Sequence, residues 1–270
     1  MPATTSTALW MAAARARESD RPDAIFHDPL AETLAGPDGF ALMQTMEEGL
    51  PPNPTLSIRT RFFDDQIRNL VTDTGIDQLV ILAAGMDTRA YRLNMPPDLL
   101  CVEIDHPELV ELKTQRLTTT TAEPTCQRVS IAADLTQPWT AELTHTGFDP
   151  ARPAIFLAEG LLSYLNHSQV TALLRTITDL STTESHLLVD IAGNPRADNA
   201  AIAEWMDRRE KAGISQRFGT DEPEQLLAAH QWRAHVIQYG DQQANYGRWP
   251  WPPIPRNAPI QHNYLVTAQR

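Results

Sequence analysis

The chain has 270 residues, with 34 acidic against 22 basic side chains and a formal net charge of −12 at pH 7. This length predicts one domain with an elaboration, large enough to bury a sizeable core. Nucleic-acid recognition needs clustered Lys and Arg, so the charge balance excludes a nucleic-acid partner. No apolar run reaches membrane-spanning length, and the N-terminus lacks the basic-then-apolar order of a signal peptide. We therefore expect a cytoplasmic protein without a membrane partner.

The two cysteines, Cys101 and Cys126, lie in apolar or strand-like stretches. In such a chain, we expect a buried, reduced pair rather than a disulfide or a metal site. No metal is predicted.

The first 75 residues are predicted to form a helical cap or lid. Thr7–Arg17 has apolar side chains on one side of a short helix. Asp28 followed by Pro29 is typical of an N-cap and a first helical position, so a second helix is expected to begin there. The glycines at 36–39 are expected to break that helix.

A third helix is predicted over Leu56–Ile67, where Ile58, Phe62 and Ile67 form an apolar stripe. Arg59 and Arg61 lie off that stripe. Although such arginines are usually a solvated rim, this helix comes just before the next predicted strand. The two side chains could therefore overhang the end of that strand.

An apolar run at 78–82 predicts a strand covered on both faces. It ends in the small-residue turn Ala83-Ala84-Gly85, which would let a ligand approach the backbone. Asp87 or Thr88 could then cap a following helix. Strand, glycine turn and helix in this order open a nucleotide-binding α/β sheet, although alone the pattern is more often mere architecture.

Two further predicted strands are each followed by an aspartate. Asp105 follows an apolar strand about twenty residues after the glycine turn, which suits an acid that binds the ribose hydroxyls of an adenosine cofactor. It could also cap the helix that begins near Pro107. Asp134 and Leu135 follow a third strand, where an acceptor and an apolar wall would suit an adenine.

A fourth strand, 154–158, ends at Glu159, and a fifth spans 187–191. Strands that alternate with helices predict an α/β fold, with a parallel sheet covered by helices on both faces. The irregular segment near 193–220 is interpreted as an insertion over the strand ends, and His262–Ala268 as a closing strand.

Several motifs, in the same order along nearly the whole chain, resemble the leucine carboxyl methyltransferase-like family of S-adenosylmethionine-dependent O-methyltransferases. This family includes polyketide carboxyl methyltransferases. The residues that carry the resemblance are Phe26-His27-Asp28-Pro29, Arg59-Thr60-Arg61-Phe62-Phe63-Asp64-Asp65, Val80 to Leu93, Glu103-Ile104-Asp105-His106-Pro107, Asp134-Leu135, Ala158 to Leu165 and Tyr264 to Ala268.

The resemblance implies a Rossmann-like class I methyltransferase: a cap at 1–75, a methyltransferase domain at 76–270, and a seven-stranded, mostly parallel sheet whose last strand is antiparallel. It implies S-adenosyl-L-methionine as the cofactor, with one arginine of the Arg59/Arg61 pair on its carboxylate. Many relatives have glycine where this chain has Ala83, a departure that keeps a small residue. The expected cofactor-binding residues are Arg61, Ala83, Gly85, Asp87, Asp105, Asp134, Leu135 and Glu159.

The methyl acceptor is expected to be the carboxylate of a small secondary-metabolite acid. A carboxylate, with a pKa of about 4, is ionised at neutral pH and needs no general base, whereas a phenol, with a pKa of about 10, needs one. His27, His106 and His167 adjoin the predicted site, but none lies in a motif typical of a base. Arg59 and Tyr164 are the predicted catalytic residues, as anchors for the acid, although Tyr164 could equally be a core residue.

Four alternatives stay open. They are a phenol or hydroxyl O-methyltransferase, a methyltransferase for the terminal leucine of a protein, a non-catalytic cofactor-binding protein, and a nicotinamide-dependent oxidoreductase. The last should show G-x-G-x-x-G after the first strand, which this chain lacks. The oligomeric state is open as well, with a homodimer as the alternative to a monomer.

Overall fold

The computed structural model describes residues 3–49, 53–196, 200–211 and 213–270. Within these ranges, seven strands form one sheet in the order β3-β2-β1-β4-β5-β7-β6. Only β7 runs antiparallel to its neighbours, so the predicted mostly parallel sheet is confirmed. The strands are β1 (Gln78–Leu82), β2 (Leu100–Asp105), β3 (Gln127–Ala132), β4 (Ile155–Ala158), β5 (His186–Ala192), β6 (Arg233–Gln238) and β7 (Asn263–Gln269).

Helices connect and cover these strands. They are α1 (Ala3–Ser19), α2 (Ala31–Glu47), α3 (Thr55–Thr74), α4 (Arg89–Arg92), α5 (Pro107–Leu117), α6 (Thr140–His145), α7 (His167–Asp179), α8 (Ala200–Lys211) and α9 (Pro223–Ala228), with a 3-10 turn at Leu162–Tyr164. No helix of the described ranges is both long and apolar enough to cross a membrane.

The sheet separates two apolar layers because successive side chains of a strand point to opposite faces. Val80 and Leu82 of β1 face a layer closed by α6, α7 and α9. Leu79 and Ile81 face the other layer, which the apolar stripe of α3 closes. Both faces of β1 are buried, as its unbroken apolar run predicts.

A smaller cluster joins α1 and α2 to the carboxyl edge of the sheet. Leu9 of α1 and Leu34 of α2 pack together with Met86 of the glycine turn and Leu109 of α5. The N-terminal helices therefore lie beside the ends of β1 and β2. The division into a cap at 1–75 and a domain at 76–270 stays a prediction.

The start of α2 was predicted wrongly, whereas the predicted break at Gly36 is confirmed. The helix begins at Ala31 rather than at Pro29, and no side chain caps it. Oδ2 of Asp28 accepts hydrogen bonds from Arg15 and Thr88, and its Oδ1 accepts one from the Leu30 N–H at 3.2 Å, just before the helix. The backbone kinks at Gly36, where φ is 56°, and the helix then resumes through Glu47. The backbone at Gly36 is therefore non-helical, and α2 consists of two helical parts that meet at this break.

The two cysteines are buried at one side of the sheet. Cys101 lies on β2, and Cys126 lies just before β3. Their predicted burial is confirmed.

Candidate active site

A cavity of about 700 Å³ lies at the carboxyl edge of the sheet. Its walls come from the turn after β1, the ends of β2, β4 and β5, helices α1 and α3, and the side chains Arg209, Gln216 and Arg217. All the predicted site residues except Arg61 line this cavity. They are Arg59, Ala83, Gly85, Asp87, Asp105, Asp134, Leu135, Glu159 and Tyr164.

The turn after β1 adopts the left-handed backbone that favours glycine. Gly85 has a φ of 49°, and a Cβ on it would lie 3.1 Å from the Cβ of Ala8. Ala83 has a φ of 54° and carries its side chain in that region. The turn thus brings bare backbone to the cavity wall, in close contact with α1.

Asp105 ends β2 beside this turn. Its Oδ2 accepts a hydrogen bond from the Gly85 N–H at 2.5 Å, and its Oδ1 accepts one from the His106 N–H at 2.7 Å. Burial raises the pKa of Asp105, although these two N–H groups oppose the shift. A carboxylate has about four lone-pair positions, so acceptor capacity is left for a ligand in the cavity.

Asp134 and Leu135 lie at the end of β3 and are both half-buried. Oδ1 of Asp134 accepts hydrogen bonds from the N–H and the hydroxyl of Thr136, each at 2.8 Å. The bond from the Thr136 N–H lowers the pKa of Asp134 most, so its carboxylate is ionised at neutral pH. Both bonds go to Oδ1, which leaves Oδ2 to face a ligand.

Arg59 reaches the cavity from α3 and lies between two carboxylates. Its Nε donates to Glu159 and its Nη1 to Asp190, each at 2.9 Å. Asp190 also accepts a hydrogen bond from the Gly160 N–H at 2.5 Å. Burial would lower the pKa of Arg59, but Asp190 and Glu159 outweigh it and raise that pKa. The guanidinium therefore stays charged and fixes both acids.

A second buried arginine, Arg89, holds three carboxylates together. It donates to Asp64 at 2.8 Å, to Glu159 at 2.7 Å and to Asp87. Burial alone would raise the pKa of Asp87, but Arg89 and nearby cations lower it to about 2. Arg89 and Arg59 likewise outweigh burial and lower the pKa of Glu159. These acids are therefore ionised at neutral pH.

These contacts form one connected ion-pair network, which continues through Arg92 to Asp28 and from there to Arg15. With every member ionised, it carries a formal charge of −1. Its members are Arg15, Arg59, Arg89 and Arg92, with Asp28, Asp64, Asp87, Glu159 and Asp190. A slightly negative wall of this kind favours a cationic ligand group next to it.

Arg61 does not lie with the other predicted residues. Its guanidinium donates to Asp65 on the same helix and to the backbone oxygen of Ile25, and it lies over the ring of Tyr246. The prediction that Arg61 binds the cofactor therefore does not fit this geometry. Of the two arginines, Arg59 is the one at the cavity.

Sequence reasoning missed several residues of the site. Asp190 interrupts the apolar strand β5, and a charge inside a buried strand is a signal that could have been used. Asp64 likewise lies on the buried side of α3, although it was quoted only as part of a motif. Met11 and Arg15 of α1, and Arg209 and Arg217 near the insertion, line the cavity without a local sequence signal.

A family model and individual related proteins both match this chain. The model of the leucine carboxyl methyltransferase family matches residues 8–178. A Mycobacterium avium protein named "Putative S-adenosyl-L-methionine-dependent methyltransferase" is 36% identical over 274 residues, covering 93% of this chain and 85% of that protein.

Solved structures share the fold. A DUF574 family protein from Streptomyces avermitilis superposes with a TM-score of 0.64 at 15% identity, covering 96% of both chains. Magnesium protoporphyrin IX methyltransferase from Synechocystis, solved with bound S-adenosylhomocysteine, gives a TM-score of 0.50 at 11% identity, covering 87% of this chain and 94% of that one. At these identities, the likeness concerns the architecture alone.

Proposed function

The chain belongs to the leucine carboxyl methyltransferase family and is an S-adenosylmethionine-dependent methyltransferase, and we propose that it methylates the carboxylate of a small apolar acid from secondary metabolism. The proposal concerns the acceptor and the O-methylation. It also assigns roles to the residues of the cavity.

The cavity residues fit this cofactor. In the proposed placement, the free lone pairs of Asp105 accept the two ribose hydroxyls, while Oδ2 of Asp134 accepts the adenine amino group beside Leu135. Gly85 lies in the cavity wall, where its backbone is proposed to face the methionine part, while Ala8 of α1 packs against the side on which a Cβ would stand. When bound, the cofactor supplies an electrophilic methyl group on a positively charged sulfur.

The ion-pair network suits the positive sulfur end. Glu159 directly follows β4, and Asp190 lies on β5. Arg59 forms ion pairs with both carboxylates. Their net negative charge attracts a cation, whereas the arginines prevent repulsion between the acids. We assign Arg59 the role of positioning these carboxylates. Tyr164, half-buried at the cavity, is assigned as a hydrogen-bond donor to the acceptor.

The observation that carries the carboxylate assignment is the scarcity of histidine, the usual general base, among the described residues of the cavity wall. His106 is the only histidine there, and it adjoins Asp105 at the ribose end. Glu159 is paired with two arginines that lower its pKa, which makes it a poor proton acceptor. A carboxylate acceptor needs no base, whereas a phenol does.

Apolar side chains around the same cavity support an apolar acid. Trp10 and Met11 of α1, Leu56 of α3 and the 47% exposed Trp251 contribute to its wall. Aromatic and thioether groups give large contact area without directional demands, so they suit a flat hydrocarbon skeleton. The substrate class proposed is therefore an apolar, polyketide-like acid.

The nature of the methylated oxygen can be tested on the product. With a panel of aromatic acids and matched phenols, we expect methylated acids only, detected by mass spectrometry. Mild alkali should release methanol from these products, because it cleaves methyl esters and leaves aryl methyl ethers intact. Between pH 6 and 8 the rate should be nearly flat, since an acid with a pKa of about 4 is fully ionised there.

A phenol acceptor would give the opposite results. Its product would resist alkali, and without a base its rate would rise about tenfold per pH unit, because the phenolate fraction does so below a pKa of about 10. Either result would overturn the carboxylate assignment while leaving the methyltransferase activity intact.

A further inference from the structure

Arg217 brings a positive charge to the part of the cavity that lies next to Tyr164. Arg217 lines the cavity, and its backbone N–H donates to the Ser163 oxygen at 2.7 Å, next to Tyr164. The preceding Gln216 donates from its side chain to the backbone oxygens of Gly193 and Phe218, each at 2.9 Å. The backbone that carries Arg217 is therefore fixed to the ends of the central strands.

The order of the strands shows which end of the cavity this is. Asp105 ends β2, whereas Ser163 and Gly193 follow β4 and β5, two and three strands away. Neighbouring strands lie about 4.8 Å apart, so Arg217 is anchored roughly 10–14 Å from the ribose acid along the sheet edge. With the cofactor placed as proposed, its methyl group faces this half.

Arg217 differs in its charge balance from four other arginines at the cavity. Arg15, Arg59, Arg89 and Arg92 each have a carboxylate within 4.0 Å. For Arg217, no acid in the described part of the chain lies within that distance. Its guanidinium is exposed and free to bind an anion that enters the cavity.

Arg209 of α8 adds a second cation to the same wall. Burial lowers its pKa, and the charge of Arg59 acts in the same direction, while Tyr164 opposes the shift. The wall formed by Arg209 and Arg217 is hereafter the arginine wall.

We propose that the arginine wall binds the carboxylate of the methyl acceptor, with Arg217 as the main contact and Arg209 beside it. The inference rests on the proposed function and deepens it, since it makes an organic anion with an apolar body the required substrate class. One carboxylate oxygen accepts a hydrogen bond from the Arg217 guanidinium. The other forms the new O–C bond with its lone pair; the electrons of the broken S–C bond stay on sulfur, and no proton moves.

The wall can be tested by binding alone, with 1-naphthoate and its neutral isostere 1-naphthamide as probes. Both are titrated calorimetrically into the full chain saturated with S-adenosylhomocysteine. We expect the wild-type protein to bind the acid at least about tenfold more tightly than the amide, as a charged hydrogen bond provides. Arg217→Ala should remove most of that preference and leave the affinity for the amide unchanged.

Two further variants sharpen the result. Arg217→Lys should keep part of the preference, because it retains the charge without the planar fork. Lys211→Ala is the matched control: it removes an exposed cation of α8 that is paired with Asp207, and it should change neither affinity. Arg209→Met should lower the affinity for the acid less than Arg217→Ala does.

Equal affinities of the wild-type protein for the two probes would overturn the inference, as would an Arg217→Ala variant that keeps the full preference. A failure of the proposed function gives a different result. In that case the preference for the acid is present and depends on Arg217, yet no acid of the panel yields a methyl ester with S-adenosylmethionine.

Discussion

Replacing Asp105 with alanine is expected to weaken the binding of S-adenosylhomocysteine at least about 100-fold. The substitution removes the carboxylate that is proposed to accept both ribose hydroxyls. Hydrogen bonds to a charged group contribute about 1.5–3 kcal/mol each, so two of them amount to about 3–6 kcal/mol, or more than two powers of ten in Kd. Isothermal titration calorimetry of the purified variant measures this directly.

The fold should persist in this variant. Asp105 also accepts from the N–H groups of Gly85 and His106, and the loss of these bonds should lower the free energy of unfolding by about 1–3 kcal/mol. Asp105→Asn keeps one acceptor oxygen and should bind with intermediate affinity. Asp98→Ala, an exposed acid just before the same strand, should leave the Kd unchanged. A folded Asp105→Ala protein with wild-type affinity would contradict the placement of the ribose.

Replacing Arg89 with methionine is expected to have the largest effect on stability. The 2% exposed arginine pairs with three carboxylates, and removal of one partner from a buried ion pair typically costs about 3–5 kcal/mol. Asp64 keeps Arg92 and Glu159 keeps Arg59, so Asp87 loses the most. Urea unfolding at pH 7, followed by circular dichroism, should show this loss.

The same variant should show a characteristic dependence on pH. In the folded wild-type protein the pKa of Asp87 is about 2, below its usual value of 3.8. The stability it contributes is therefore present above about pH 4 and is lost as the pH falls toward 2. Without Arg89 that pKa should rise, so the difference in stability between the two proteins should narrow over this range.

A surface ion pair provides the control for this prediction. Arg68 pairs with Asp65 at 3.1 Å and is 43% exposed, so Arg68→Met should cost less than about 1 kcal/mol. Arg89→Lys should lie between the wild-type protein and Arg89→Met, since it keeps the charge but cannot reach three acids at once. An Arg89→Met protein within about 1 kcal/mol of the wild type at pH 7 would show that the network does not stabilise the fold.

The strands could be predicted from the sequence because their signal is local. The apolar run at 78–82 is buried on both faces as β1, and Asp105 and Glu159 follow their strands at one edge of the sheet. The carboxyl ends of parallel strands share one edge of the sheet. The alternation of strands and helices along the chain is therefore enough to predict that such residues lie together. The fold class and the strand-end acids of the cavity followed from this rule.

The ion pairs could not be predicted in this way, because they join distant parts of the chain. Arg59 and Asp190 are 131 residues apart in sequence, and Arg89 and Glu159 are 70 apart. Asp28 and Thr88, which are hydrogen-bonded, are 60 residues apart. Only the packing of α1 and α3 against the sheet edge brings these groups together.

The choice between Arg59 and Arg61 did have a local signal. Asp65 lies four residues after Arg61 on α3, and side chains at that spacing meet on one helix face. This pairing holds Arg61 away from the cavity. Had the spacing been considered, Arg59 would have been the expected member of the pair at the site.

The most direct test of the account is a crystal structure of the protein with S-adenosylhomocysteine. We expect the ribose hydroxyls on Asp105, the adenine amino group on Asp134, and the sulfur toward Tyr164 and Arg217, with open space between them for an acid. A nucleoside bound away from Asp105, or a sulfur facing away from the arginine wall, would contradict the account.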